Sequence, residues 1–597
     1  MAEHWRESCP GDAILGVERS LLGQRWRDRT GDERAGLAIA QRLGEPEIVG
    51  RLLARRGVEP DAASAFLNPL LRDCLPDPST FKDMDRAVAR LVEAIEARQG
   101  IAIFGDYDVD GATSAALLRR FFKALGIVAD LYVPDRQREG YGPNAAALLK
   151  LRARGARVVV TVDCGTTADH ALAAAAEAGL DVIVVDHHVS GPALPRALAI
   201  VNPNRLDETV PHRTFAAVGL AFLLAVGINR ALRRIGWYRA RPEPDLLSLL
   251  DLVALGTVAD VVPLTGVNRA LVAQGLKVMR RRSNAGIAAL ADVAKVSEPL
   301  DAYHAGFILG PRVNAGGRVG AADLGARLLS TDDPGEARAL AEQLQALNAE
   351  RREIEALVLA QAVAQTEAEP RRALVFAAGE GWHPGVIGIV ASRLKDRYGR
   401  PACVVAMDGP VARGSARSVA GFALGPAILA AHQAGLLIHG GGHAMAAGFT
   451  VAADRLLELR DFLATQIGAA LGEGEPVPEL AIDGALSASA ATPDLAAVLE
   501  RIGPFGSGNP EPRFVLPQMR ILRAEVVGEV HIRLVLGDGA GGGRIKAMAF
   551  RAIDDARAPA FLRHDGAPWH IAGHVRADRW QGREGVKLLV DDAAPAV

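Results

Sequence analysis

Three apolar, largely β-branched stretches each run directly into potential metal ligands, and this coincidence constrains the fold more than any other feature of the chain. IAIF at Ile101 leads into Gly105, Asp106, Tyr107, Asp108, Val109, Asp110 and Gly111. VVVTV at Val158 leads into Asp163, and VIVV at Val182 leads into Asp186, His187 and His188. Continuous apolar runs of this length read as strands buried on both faces, and the stretches Ala112 to Ala124 and Thr167 to Ala178 between them read as helices. The alternation predicts a parallel sheet covered by helices. The carboxyl ends of its strands share one edge, so these acids and histidines converge although they are far apart in sequence.

Each group alone has an ordinary explanation. The DxDxD run resembles a calcium loop, but the later ligands of an EF-hand are missing. A lone Asp caps a helix, and a lone His is more often a satisfied core or surface residue than a ligand. Repetition weighs against these readings, because several carboxylates at one sheet edge repel strongly without cations. Asp and His ligands without Cys fit Mn²⁺ or Mg²⁺ better than structural zinc, and imidazole favours Mn²⁺. Asp260 in LGTVADVVPL is a further acidic element, and Asp186 suits a carboxylate that orients an imidazole.

The remaining chain divides by punctuation and pattern. Residues 1–85 read as a helical segment, and 86–333 as the parallel-sheet domain with a helical insertion. Asp333 and Pro334 start a connecting helix expected over 334–370. Residues 371–470 repeat a strand–helix–strand pattern, with ALVFAAG, a helix from Gly388 to Tyr398 and ACVVAM, as a smaller α/β domain. From 475 to 597, segments such as HIRLVLGDG and RIKAMAF alternate apolar and polar residues, which predicts a small antiparallel barrel.

Net charge is −2, from 68 Lys and Arg against 70 Asp and Glu, so any nucleic-acid surface must be local. The C-terminal region supplies one in Arg520, Arg523, Arg533, Arg544, Lys546, Arg576, Arg579, Trp580, Arg583 and Lys587. Cys9, Cys74, Cys164 and Cys403 have no ligand or disulfide spacing and read as buried thiols in a reducing compartment. The run Phe215 to Ile228 is too short for a membrane span and reads as a core helix, so no membrane is expected as a partner. MAEHWRESCPGD has no apolar leader, which points to the cytoplasm.

Taken in order, GDYDVDG, VDCG, DHH and GTVADVVPL resemble the motifs of the DHH phosphoesterase superfamily. FLNPLL, PRVNAGGR, GWHPGVIGIVASRL and GGGHAMAAGF are similar to segments of its RecJ-type single-stranded-DNA-specific exonucleases, over nearly the whole chain. The resemblance implies a multidomain α/β fold: a DHH parallel-sheet domain, a long connecting helix, a smaller DHHA1 domain and a C-terminal OB-like β-barrel. It implies metal ligands at Asp106, Asp108, Asp110, Asp163, His187 and Asp260, with Asp163 bridging two Mn²⁺ or Mg²⁺ ions and His188 joining the catalytic set. Many superfamily members carry a His where Phe104 stands, and Asp106 substitutes for it here.

The same resemblance implies 5′→3′ hydrolysis of single-stranded DNA in repair and recombination, with a RecQ-type helicase and a single-strand-binding protein as partners. Arg312, Asn314 and Arg318, in a segment read as a Gly-rich turn, suit phosphate contacts, as do Ser415, Arg417, Ser418 and His443 in GSARS and GGGH. Two other readings of these motifs are a DHH phosphodiesterase of short oligonucleotides or cyclic dinucleotides and a non-catalytic DNA-binding scaffold. The long connecting helix and barrel weigh against the first, and the intact acidic motifs against the second.

Overall fold

The computed structural model describes residues 13–136, 138–369, 372–472, 477–538, 543–580 and 583–596. The chain forms two compact units: Pro78–Asp260 with Val278–Pro476, and Met1–Asp77 with Val261–Lys277 and Val477–Val597.

The first unit holds a five-stranded sheet in the order Asp130–Tyr132, Gly100–Gly105, Ala156–Val162, Asp181–Val185, Ala199–Val201. Every neighbouring pair is parallel. Its strands carry the expected apolar runs: Ile103, Phe104, Val159, Val160, Ile183 and Val184 are fully buried. The run from Phe215 leads into the helix Ala217–Arg234, whose Leu220, Leu223, Leu224 and Ile228 are buried. Among the described residues no helix is long and apolar enough to cross a membrane.

The helix Pro334–Ala368 begins where Asp333 Oδ1 accepts from Gly335 N at 2.8 Å. Its first half packs on the helices Ala285–Val293 and Gly310–Val319, and its second half on the helix Pro384–Tyr398. That last helix starts four residues before the expected Gly388, because the His383 ring caps it by accepting from Gly385 N at 3.0 Å. It covers a second sheet in the order His439–Gly442, Ala446–Ala452, Val411–Arg417, Ala402–Asp408, Val375–Glu380.

In the second unit, Phe514–Val527, His531–Asp538, Arg544–Ala549, Arg583–Pro595 and Pro568–Trp580 close into a five-stranded barrel, since Phe514–Val527 also pairs with Pro568–Trp580. Leu516, Leu534, Leu536, Ile571 and Leu588 fill it.

Three expectations change. The N-terminal segment is not purely helical, because Arg25–Asp28 pairs in parallel with Glu479–Ile482. Trp26 is buried there, and its indole N–H donates to Asp592 Oδ2 at 3.0 Å. A pairing across some 450 residues leaves no local signature. The basic surface of the barrel is largely ion-paired: Arg523 and Arg533 with Glu525, Arg576 with Glu511, and Lys546 and Lys587 with Asp578. The side chains of Arg579, Trp580 and Arg583 lie outside the described residues, as does Cys9. Cys164 and Cys403 are buried free thiols, whereas Cys74 is only half-buried.

Candidate metal centre

Strand register brings the candidate ligands together. Gly105, Val162, Val185 and Val201 are successive partners across the first sheet. The next residues, Asp106, Asp163, Asp186 and Asn202, therefore stand in a row at the strand spacing of about 4.8 Å. Backbone bonds continue through that row, from Asp106 N to Val162 O (3.2 Å), Asp163 N to Val185 O (3.0 Å) and Asp186 N to Val201 O (3.1 Å). The strand order reverses between Gly100–Gly105 and Ala156–Val162, so Asp106 and Asp163 flank the point where open α/β sheets bind ligands. Asp163 sits at φ 62°, a left-handed conformation that Asp adopts more readily than most side chains.

Further acids arrive at helix ends. Asp108 caps the helix Val109–Ala124 by accepting from Gly111 N at 3.1 Å. A Cβ on Gly111 would lie 2.5 Å from the Asp106 carbonyl oxygen, which accounts for the glycine closing GDYDVDG. Asp110 reaches the start of the helix Ala217–Arg234, accepting from Ala217 N at 2.6 Å and Val218 N at 2.9 Å. Asp260 is the last residue of the turn ending Leu250–Ala259.

Three ligand groups result, each with its atoms within 4.8 Å of one another: Asp163, His187 and His188; Asp110, His187 and Asp260; Asp106, Asp108 and Asp163. His187 Nε2 is 3.2 Å from Asp163 Oδ1, 3.6 Å from Asp260 Oδ2 and 3.8 Å from Asp110 Oδ2. Among the described residues, Asp106 Oδ1, Asp163 Oδ1, His187 Nε2 and Asp260 Oδ2 are buried with no hydrogen-bond partner. Leaving such atoms unsatisfied costs about 1–3 kcal/mol each, a cost that a bound cation removes. The donors are carboxylate oxygens and imidazole nitrogens, while the nearby Cys164 thiol is directed at the Val162 carbonyl. This set fits hard or borderline divalent ions such as Mg²⁺ or Mn²⁺.

The electrostatics agree. Burial, then the charge of Asp108, pushes Asp110 up to about 7; burial, then Asp110 and Asp108, pushes Asp260 up to about 9. Burial and neighbouring acids also hold Asp106 and Asp163 well above the usual carboxylate range. Burial, reinforced by His188, keeps His187 down at about 4, so its ring is neutral and has a lone pair to offer.

Asp186 is the exception. Burial would raise it, but the hydrogen bonds of His188 and Thr166 hold it below the usual range. His188 Nδ1 lies 2.7 Å from Asp186 Oδ1, which also accepts from the backbone of His187 and His188. That contact outweighs burial and lifts His188 to about 9.

Several supporting residues carried little or no sequence signal. Asn202 donates to His188 O at 2.8 Å and to Thr166 Oγ1 at 2.9 Å, and Asn204 donates to His187 O, so both brace the histidine pair. Tyr141 donates to Asp163 O at 3.1 Å and lies 3.2 Å from His188 Nδ1. Arg136 stacks over the Tyr107 ring at 4.9 Å. The NPN spacing at Asn202 is the one hint the sequence offered, since Asn beside Pro marks a structured turn.

The expected DNA contacts divide. PRVNAGGR is not a Gly-rich turn but part of the helix Gly310–Val319, and its glycines serve packing: a Cβ on Gly317 would lie 2.9 Å from both Cβ and the carbonyl oxygen of Tyr107. Arg318, held down at about 10 by burial and then by Arg136 and Arg351, donates to Gly385 O at 2.9 Å. Arg417 is lowered by burial and by the same Arg136, and donates to Ser415 Oγ at 3.1 Å. Arg136, Arg318 and Arg417 thus form a cationic cluster beside the acidic one. Arg312 is bound to Gln345 Oε1 at 2.7 Å, and Asn314 is half-buried on the same helix. His443 exposes its ring, while its N–H closes a turn onto Ala446 O at 2.8 Å. Ser418 departs from expectation, being buried with its hydroxyl donating to Phe422 O at 2.6 Å.

Comparison with known proteins follows the same division. Residues 100–257 match the DHH family, N-terminal domain; 371–469 match the DHHA1 domain; 482–592 match the RecJ OB domain. The single-stranded-DNA-specific exonuclease RecJ of Dickeya dadantii is 37% identical over 563 residues, covering 92% of this chain and 96% of that protein. The protein of that name from Escherichia coli is 36% identical over 591 residues, covering 96% and 99%. The crystal structure of RecJ from Thermus thermophilus in complex with Mn²⁺ is 30% identical, with a TM-score of 0.79 over 95% of this chain and 79% of that one.

Proposed function

The chain belongs to the RecJ family of single-stranded-DNA-specific exonucleases, and on that premise we propose that the Asp and His cluster is the two-ion centre of an exonuclease that hydrolyses single-stranded DNA in repair and recombination. The observation that carries this reading is the set of four buried, unpartnered ligand atoms contributed by four separate chain segments.

Mn²⁺ or Mg²⁺, when bound, supplies Lewis acidity toward a water molecule and the phosphodiester. Asp106, Asp108, Asp110, Asp163, His187 and Asp260 would hold the ions; Asp163 and His187 each belong to two ligand groups, and the family resemblance makes Asp163 the shared ligand. The two amides at the start of Ala217–Arg234 keep the Asp110 carboxylate from rotating away. Asp186 and Tyr141 fix the orientation of His188, whose ring would supply a proton toward the charge that develops on the phosphate.

Arg318, Arg417 and Arg136 supply cations for phosphate oxygens, with Arg312, Asn314, Ser415 and His443 as further contacts. Ser418 closes the turn that follows Arg417, its hydroxyl donating to Phe422 O. The barrel grips the rest of the strand, because surface ion pairs worth roughly 0–1 kcal/mol exchange readily for phosphate. We assign the metal chemistry, with the phosphate contacts of Arg136, Arg312, Asn314 and Arg318, to residues 86–333, and further strand contacts to 371–470 and 475–597. The 5′→3′ direction, with a RecQ-type helicase and a single-strand-binding protein as partners, rests on the family resemblance, and with these we propose a cytoplasmic location.

Two single strands, labelled at the 5′ or the 3′ end and incubated with Mn²⁺, test the reading. Early release of the 5′ label as a mononucleotide, with the 3′ label released last, is expected. Early 3′ release contradicts the direction, and internal cleavage contradicts exonuclease action.

A further inference from the structure

Two aromatic rings near the metal centre remain in water. Phe307 is 70% exposed and Tyr303 51%, and the two rings stack on each other with centroids 5.3 Å apart and planes inclined by 30°. They sit four residues apart, so they share one face of a helical segment that takes π geometry over His304–Leu309 before continuing as Gly310–Val319. Single π turns inside helices concentrate at functional sites.

The buried side of this segment lies against the helix that ends in Asp260. A Cβ on Gly306 would be 3.3 Å from Val258 Cγ1, and one on Gly310 would be 3.4 Å from Ala259 Cβ and 3.8 Å from Val109 Cγ2. Val258 is two residues, about 3 Å of helix rise, before Asp260. Val109 lies between Asp108 and Asp110. Farther along, the same helix carries Arg312, whose guanidinium donates to Ile308 O at 2.6 Å, one residue beyond Phe307.

Resting on the exonuclease reading, we propose that the Tyr303–Phe307 pair is a stacking platform for a nucleobase of the single strand, held next to the metal centre. An exposed aromatic face with a guanidinium beside it suits an unpaired base and its phosphate. A base within a duplex offers no free face, so the platform also favours single strands over duplex.

The test uses the full chain in EDTA, where no hydrolysis occurs, and fluorescence anisotropy with two oligonucleotides of equal length, one with bases and one abasic throughout. Phe307→Ala is expected to weaken binding of the base-bearing strand about 5- to 150-fold. It should leave affinity for the abasic strand and the salt dependence unchanged, and Phe307→Trp should restore wild-type affinity. Because Phe307 is mostly exposed, neither substitution disturbs the core.

Unchanged affinity of Phe307→Ala for the base-bearing strand, or an equal loss on the abasic strand, overturns the proposal. So does unchanged DNA affinity with an altered oligomeric state, which would make the pair a contact between copies. Wild-type digestion of the base-bearing strand in Mn²⁺ separates the two claims. If digestion is intact and Phe307 is indifferent, only the platform falls; if digestion is absent while the Phe307 dependence persists, the exonuclease reading falls.

Discussion

His187 Nε2 lies 3.2 Å from Asp163 Oδ1, and both atoms are buried without a hydrogen bond. Asp163 ends one strand, and His187 follows its neighbour after a single residue, so parallel pairing alone brings the two side chains to the same edge. An imidazole held neutral by burial and a carboxylate with a free oxygen make a place for a cation.

Asp163→Asn removes the charge while keeping a side chain that tolerates the left-handed φ of 62°. In chelator its melting midpoint should equal or exceed that of wild type, because repulsion among the buried acids falls. The Mn²⁺-induced rise in midpoint should shrink, and hydrolysis should fall on the order of 10³-fold or more, equivalent to about 4 kcal/mol. Differential scanning fluorimetry with and without Mn²⁺, beside a nuclease assay, checks all three.

Asp186→Asn leaves every candidate ion ligand in place but replaces an acceptor that orients His188 and receives three backbone N–H groups. Loss of such an orienting carboxylate costs roughly 10- to 100-fold in activity or ion affinity. The Mn²⁺ concentration giving half-maximal rate, measured with the maximal rate, shows how the loss divides.

Gly317→Ala raises intrinsic helix propensity by about 1 kcal/mol, yet it should impair the protein. The new Cβ would meet Tyr107 Cβ and the Tyr107 carbonyl oxygen at 2.9 Å, and neither is a flexible side-chain end. Tyr107 lies between Asp106 and Asp108, so the shift should weaken Mn²⁺ affinity in titration calorimetry. Unchanged affinity would show that the helix yields instead.

In the barrel, His574 Nε2 is 2.9 Å from Asp591 Oδ2, with Arg513 and Glu511 nearby. Burial alone would lower His574, but Asp591 raises it above 6.5; burial alone would raise Asp591, but His574 and Arg513 bring it below 3.8. The raised His574 stabilises fully below 6.5 and loses that effect as pH rises through its folded pKa. The depressed Asp591 stabilises above 3.8 and loses that effect as pH falls through its folded pKa. The difference in melting midpoint between wild type and His574→Gln should therefore be largest between about pH 4 and 6.5 and shrink above that window.

The acids at strand ends were legible because a parallel sheet converts three distant apolar runs into one edge. Asp110 was legible with Asp106 and Asp108 as the run that follows the first strand, whereas Asp260 was assigned as a ligand only by family resemblance, since nothing local says that a helix end will turn toward that edge. Asn202, Asn204, Tyr141 and Arg136 act through loops whose course depends on tertiary packing. PRVNAGGR was misread as a turn because glycine serves close approach as well as flexibility, and only the position of Tyr107 distinguishes the two. The basic residues of the barrel were countable in sequence, but the acidic partners that other strands bring to them were not.

The most direct test of the two-ion account is digestion of a long 5′-labelled single strand by wild type and by Asp110→Ala, across a Mn²⁺ titration and beside the same strand in duplex form. Label should be lost from the single strand only when Mn²⁺ is present, with little loss from the duplex and none above background in Asp110→Ala. Digestion that proceeds in chelator, or that survives in Asp110→Ala, would contradict it.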